Sequence, residues 1–323
     1  MRILLTGATG FVGSHVARAL VAAGHHVRAL ARPTSSRALL DDVPELEWVT
    51  GDVMDSPSLA AATRDRDAVV HAAAVVGFSP RAAERQRAIN VEGTRRLLEA
   101  AHKAGVQRFV HTSSVSAVGK TPEGTVNDET ARYDWPPGMP YNETKRDSER
   151  LVQAAAKDMT TICLSPALVF GPGDVFKRTL GLFRLVKWGL LPVVPPGGTT
   201  ICDVRDVAEA HVSALTQGES GQRYILGGPH LTFRELATTV AEVTGGARPL
   251  ATLPASVVHA VEVPLAAVGR VLPLPVGVGT LEYLTNFGFY SSAKAEGALG
   301  YRTRPAAETL ADSARWYGAQ GVL

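Results

Sequence analysis

Cysteine is nearly missing: the 323 residues contain only Cys163 and Cys202, each inside an apolar, strand-like run. That excludes a small disulfide-stapled scaffold and reads as two buried free thiols in a reducing compartment. An excess of charge of one sign is missing too. The 33 Lys+Arg and 31 Asp+Glu leave a formal charge of +2. With no basic block, the electrostatic footprint of a nucleic-acid-binding protein is absent. No long apolar run is uninterrupted. The most apolar stretch, residues 255–280, is broken by His259, Glu262, Pro264 and Arg270, which excludes a membrane span. It reads as a lid or pocket wall, with a helix lying on a membrane surface as the alternative. Met1-Arg2 leads straight into an apolar run, which leaves no room for a signal peptide. A soluble cytoplasmic protein without a metal site is expected.

What the chain does have is glycine, placed with purpose. Ile3-Leu4-Leu5 is a short strand, Thr6-Gly7-Ala8-Thr9-Gly10-Phe11-Val12-Gly13 a tight turn, and Val16, Ala17, Leu20 and Val21 recur at helical spacing until Gly24. Gly7 allows a sharp exit from the strand, Gly10 clears the way for a pyrophosphate, and Gly13 permits close packing of helix on strand. The free N–H groups and partial positive charge of the helix start then hold the anion. The spacing is Gly-x-x-Gly-x-x-Gly.

Further strands follow at regular intervals. His26–Ala31 ends at Arg32, with Arg37 five residues on and no acid before Asp41. An arginine there accommodates a ribose 2′-phosphate, whereas an acid would bind the free hydroxyl, so NADP(H) is favoured over NAD(H). Leu46–Val49 leads to Asp52 and Val53. Asp52 either accepts from an adenine amino group or serves as a helix cap or turn residue. Ala68–His71 runs into Ala72, Ala73 and Ala74, with His71 read as a core residue. A helix from about Glu84 to Ala104 precedes the strand Phe109–Thr112, which ends at Ser113-Ser114. Alternating strands and helices predict a doubly wound parallel sheet of Rossmann type, with ligands at the carboxyl ends of its strands.

Tyr141 and Lys145 lie one turn apart on one helix face. A nearby ammonium would lower the phenol pKa from about 10 and fit Tyr141 for proton transfer. Ser114 would orient the substrate oxygen. Together they predict a carbonyl/alcohol oxidoreductase.

The set TGATGFVG, Arg32, Gly51-Asp52-Val53, HAAA at 71–74, TSS at 112–114 and Tyr141-x-x-x-Lys145 resembles the extended short-chain dehydrogenase/reductases. The dihydroflavonol-4-reductase-like branch is the nearest. Leu164–Gly173, Asp203–Ala208, Arg223–Gly228 and Ser291–Ala295 continue the likeness. It implies that Ser114, Tyr141 and Lys145 are catalytic, and that Pro166 and Val169 join Gly7, Gly10, Phe11, Val12, Arg32, Asp52, Val53, Ala72 and Ala73 around the dinucleotide. It also implies a homodimer formed through two long helices. Plant flavonoid reductases carry an asparagine where this chain has Gly119, which argues against a flavonoid. Ser113-Ser114 replaces the acidic pair of sugar dehydratases. Gly198–Cys202, just before Asp203, offers no arginine of the kind that grips a diphosphate in nucleotide-sugar epimerases, so an NAD-dependent nucleotide-sugar epimerase is the runner-up. A non-catalytic dinucleotide sensor is less favoured because the Tyr–Lys pair is kept.

Two units are expected: residues 1–169, rejoined by about 203–228, for the dinucleotide, and 170–202 with 229–323 as a smaller substrate lobe. Phe176, Leu180, Phe183, Trp188, Leu190 and Leu191 are read mainly as core. Val75, Val76, Phe78, Ser114, Leu168 and Phe176 are candidate walls of an apolar pocket for a small ketone, aldehyde or alcohol.

Overall fold

The computed structural model describes residues 1–77, 82–122, 124–258, 260, 283 and 285–323. Phe78 and almost all of the apolar stretch 255–280 beyond Val258 lie outside them.

The first turn sets the geometry. Strand β1 (Arg2–Thr6) is buried over Ile3–Thr6 and gives way at Gly7 to the helix Phe11–Ala22. Gly7 has φ +79°, and a Cβ there would stand 2.6 Å from the backbone of Ala72 and Ala73. A Cβ on Gly13 would lie 1.9 Å from the Gly7 oxygen. Only glycine at both positions lets the helix lie against the strand end.

Strands β2 (His26–Ala31), β3 (Glu47–Thr50), β4 (Ala68–His71), β5 (Arg108–Thr112) and β6 (Thr160–Pro166) follow. Short strands β7 (Leu168–Phe170), β8 (Val193–Val194) and β9 (Gly198–Asp203) precede β10 (Gln222–Leu226). The main sheet runs β10-β6-β5-β4-β1-β2-β3, and every pairing in it is parallel. The chain winds outward from β1 to β3, then returns to β4 and winds the other way. Between β1 and β4 lies the switch point at which such sheets bind ligands.

Alternation of side chains fills two layers. Ile3 and Leu5 face one side with Val16, Leu20, Val207 and Ala210. Leu4 and Phe109 face the other with Leu59, Leu97, Ala101 and Val152. The helix in the second layer starts at Ala83–Gln86, passes through a π-helical stretch Arg87–Glu92, and continues as Gly93–Lys103. Cys163 and Cys202 are buried free thiols, and His71 is a core residue.

A second core gathers Phe170, Leu180, Phe183 and Val186 with Leu236, Val240 and Tyr317 from the helices Phe233–Thr244 and Ala306–Ala319. Strand β9 pairs there with β7, β11 (His230–Thr232) and β13 (Phe287–Gly288), while β8 pairs with β12 (Ala251–Thr252). Phe176, Trp188 and Leu190 differ from expectation: each is about 60% exposed. The helix Leu180–Lys187 turns Leu180, Phe183 and Val186 inward, while Phe176 lies before it and Trp188 and Leu190 follow its last turn.

Gly13→Ala forces a Cβ onto the Gly7 carbonyl, so it should lower the unfolding free energy by about 1–3 kcal/mol, the usual cost of overpacking. Urea denaturation measures it; an unchanged midpoint would show that the turn relaxes freely.

Candidate active site

Most of the anticipated binding residues follow the carboxyl ends of strands of the main sheet. Gly7 to Gly13 follow β1, Arg32 follows β2, Asp52 and Val53 follow β3, Ala72–Ala74 follow β4, Ser114 follows β5, and Pro166 closes β6. The helix Phe11–Ala22 has no side-chain cap at Gly10. A Cβ on Gly10 would stand 3.2 Å from the Gly7 oxygen and meet nothing else within 4 Å. An open, uncapped helix start suits a pyrophosphate. Arg32 is exposed, and its guanidinium has no partner among the described residues. Arg37 stacks over Trp48, 4.7 Å from the ring centre. Asp52 takes the turn role: its Oδ1 accepts from the Met54 amide at 2.9 Å, while the helix Ser56–Thr63 is capped by Asp55.

Tyr141 enters on the first turn of the helix Pro140–Ala154, started by Pro140. It is almost wholly buried and hydrogen-bonded to the Ser114 side chain. Ser114 Oγ also accepts from the Ser116 amide at 3.1 Å, capping the short turn Val115–Ala117. Burial raises the Tyr141 pKa; the Ser114 hydrogen bond and the charge of Arg178 pull it back in part. The expected depression by Lys145 is not what the structure has. The Lys145 ammonium donates to the Thr112 carbonyl at 2.8 Å, and its own pKa is brought down to about 8 by burial, with Glu149 opposing. Tyr141 is therefore a protonated phenol at neutral pH.

Neighbours unread in the sequence hold this arrangement. Asn90, inside the π-helical stretch, accepts from the Val75 amide at 2.7 Å and donates to the Val75 carbonyl at 3.0 Å and to Thr144 at 3.2 Å. Arg178 donates to the Val76 carbonyl at 3.0 Å. Tyr283 donates to Asn142 Oδ1 at 2.6 Å and stacks on Trp135. Ser113 donates to Glu149. Val75, Val76 and Val169 are half-buried, and Leu168 and Phe176 are exposed. Gly119 leaves no room for the flavonoid-type asparagine, since a Cβ would sit 1.9 Å from the Arg132 carbonyl.

Below the edge lies a line of buried histidines. Thr94 Oγ1 donates to the Asn90 carbonyl at 2.6 Å, so His71 Nε2, 2.9 Å away, donates to Thr94. His71 Nδ1 then accepts from Thr6 Oγ1 at 2.7 Å. His111 stacks 5.3 Å from His71, and His211 reaches Thr112 Oγ1 at 2.7 Å. Burial lowers all three pKa values, to about 3 for His71 and about 4 for His211. Among the described residues, no group of His, Cys, Asp and Glu is arranged to hold a metal ion, and no helix is long and apolar enough to cross a membrane.

Comparison with known proteins agrees with this geometry. The family model for the NAD dependent epimerase/dehydratase family matches residues 3–227. Sterol demethylase protein B of Methylococcus capsulatus is 35% identical over 79% of this chain and 78% of its own. A putative dihydroflavonol 4-reductase of Synechocystis is 30% identical over 99% of this chain and 95% of its own. The crystal structure of gox2253 superposes with a TM-score of 0.88 and 33% identity, covering 100% of this chain and 99% of that one. The chain belongs to the NAD-dependent epimerase/dehydratase family of extended short-chain dehydrogenase/reductases. It is an NAD(P)-dependent enzyme of the dihydroflavonol-4-reductase-like kind.

The three histidines are neutral when folded but bind protons below pH ~6.5 when unfolded. Stability should therefore fall as pH drops from about 6.5 towards 4, by up to ~1.4 kcal/mol per pH unit per histidine. Urea titrations at pH 7 and 5 read this; equal midpoints would mean that the histidines charge without cost.

Proposed function

We propose that the enzyme is an NADP(H)-dependent reductase or dehydrogenase that interconverts a ketone or aldehyde and an alcohol on a small apolar substrate. The carrying observation is the Tyr141 phenol, buried and hydrogen-bonded to Ser114 beside Lys145, at the strand edge that receives the dinucleotide. When bound, the nicotinamide supplies or accepts a hydride.

The chain's own residues do the rest. Ser114 holds the substrate oxygen against the Tyr141 hydroxyl. Tyr141 keeps its proton at neutral pH because of burial and gives it to the oxygen as negative charge develops there; in the reverse direction it takes the proton back. Lys145 leaves its carbonyl partner to hold the ribose hydroxyls, while the charge of Arg178 acts on Tyr141 and favours its phenolate. Gly10, Phe11 and Val12 present the helix start to the pyrophosphate, and Arg32 meets the 2′-phosphate. Val75, Val76, Leu168 and Phe176 supply apolar walls. Relatives named for a sterol and a dihydroflavonol support a ring-bearing apolar substrate.

A second reading, an NAD-dependent nucleotide-sugar epimerase, is favoured by the family match and by Arg178. This cation acts on Tyr141 and would suit a diphosphate.

Titration with NADPH and NADH separates the readings. Arg32→Ala should weaken NADPH binding by about 1.5–3 kcal/mol and leave NADH nearly unchanged. Tyr141→Phe should abolish carbonyl reduction while both dinucleotides still bind. Tighter NADH binding that is insensitive to Arg32→Ala would overturn the NADP assignment and bring the epimerase forward.

A further inference from the structure

Tyr141, Lys145 and Glu149 recur every four residues and share one face of their helix. Glu149 is the deepest of the three, its side chain only 1% exposed. Its carboxylate accepts from Ser113 Oγ at 2.5 Å, at the end of β5, and from Ser165 Oγ at 3.4 Å, on β6. Arg223, on β10, donates to it through Nε at 2.5 Å and through Nη2. Arg223 also reaches the carbonyl of Ala117, in the turn that Ser114 caps, at 3.4 Å. One carboxylate thus ties three parallel strands together directly behind the Ser114 turn.

Stability does not explain such a group. Burying an ion pair costs as much as it returns, and apolar side chains of equal volume usually do as well. Its position does. Lys145 is buried, and the groups acting on it from the packed elements are few. His71 on β4 and His111 on β5 are neutral. Burial keeps the Cys163 thiol on β6 protonated. Glu149 is the carboxylate whose charge reaches the ammonium.

We infer that Glu149 is a positioning residue, which places a carboxylate one turn from Lys145 on the face that meets the dinucleotide while pinning the Ser113–Ser114 strand end through its hydrogen bonds. The inference rests on the proposed contact of Lys145 with the dinucleotide. Arg223 binds the same carboxylate and carries the opposite charge. Removing either partner should therefore act on Lys145 with opposite sign, which loss of packing cannot do.

The test is dinucleotide affinity against pH, measured by fluorescence titration with NADPH on the full chain, with turnover left aside. Wild-type affinity should fall as Lys145 deprotonates. Glu149→Gln should move the midpoint of that fall down by about one pH unit, a tenfold change in the proton equilibrium, while affinity at pH 6 stays within about threefold. Arg223→Gln should move the midpoint up, and it decides the matter alone if Glu149→Gln does not fold. Glu149→Asp, which keeps the charge, should hold the wild-type midpoint. Midpoints that stay put, or shift the same way in Glu149→Gln and Arg223→Gln, overturn the inference and leave the proposed function intact. A wild-type chain that binds neither NADPH nor NADH overturns both.

Discussion

The first helix comes so close to the Gly7 carbonyl that a Cβ on residue 13 would lie 1.9 Å from it, and the site depends on that approach. Because residue 13 lacks a Cβ, the helix start comes down on the end of β1. Because residue 7 lacks one, the same turn sits against Ala72 and Ala73 after β4. The crevice between β1 and β4 is therefore shaped by two missing methyl groups.

Beneath it lie many buried polar groups, most of them paired. Thr6, His71, Thr94 and Asn90 form one hydrogen-bonded line; Thr112 with His211 forms another; Ser113, Glu149 and Arg223 form a third. Such networks are directional where apolar packing is not, and they fix strand ends in register with the helix that carries Tyr141 and Lys145. Among the described residues, His111 Nδ1, Thr161 Oγ1 on β6 and Asn142 Nδ2 beside Tyr141 are exceptions here.

Much of this was legible in the sequence because it is local. The glycine turn, the strand period and the four-residue spacing of Tyr141 and Lys145 each need only neighbouring residues to be recognised. The sheet follows from them by short right-handed connections. What escaped were facts about depth and partnership across the chain. The Tyr141 pKa runs opposite to expectation because it depends on how much protein covers the phenol, which a spacing cannot reveal. Phe176, Trp188 and Leu190 share the composition of core residues but end on a surface. Asn90, Arg178 and Arg223 act on residues 15, 102 and 74 positions away, and nothing near them in the chain marks them out. Glu149 alone had a local signal, one further step along the Tyr141–Lys145 face.

The π-helical stretch Arg87–Glu92 sets a different kind of constraint. Asn90 faces the Val75 loop, and Leu97, Leu98 and Ala101, a few residues on, pack in the core beside the sheet. Removing one residue from this helix would rotate everything beyond it by about 100°, turning Leu97 and Ala101 out of the core. Insertions and deletions here are thus far more damaging than substitutions, and the length of this helix is as much a determinant of the site as any side chain in it.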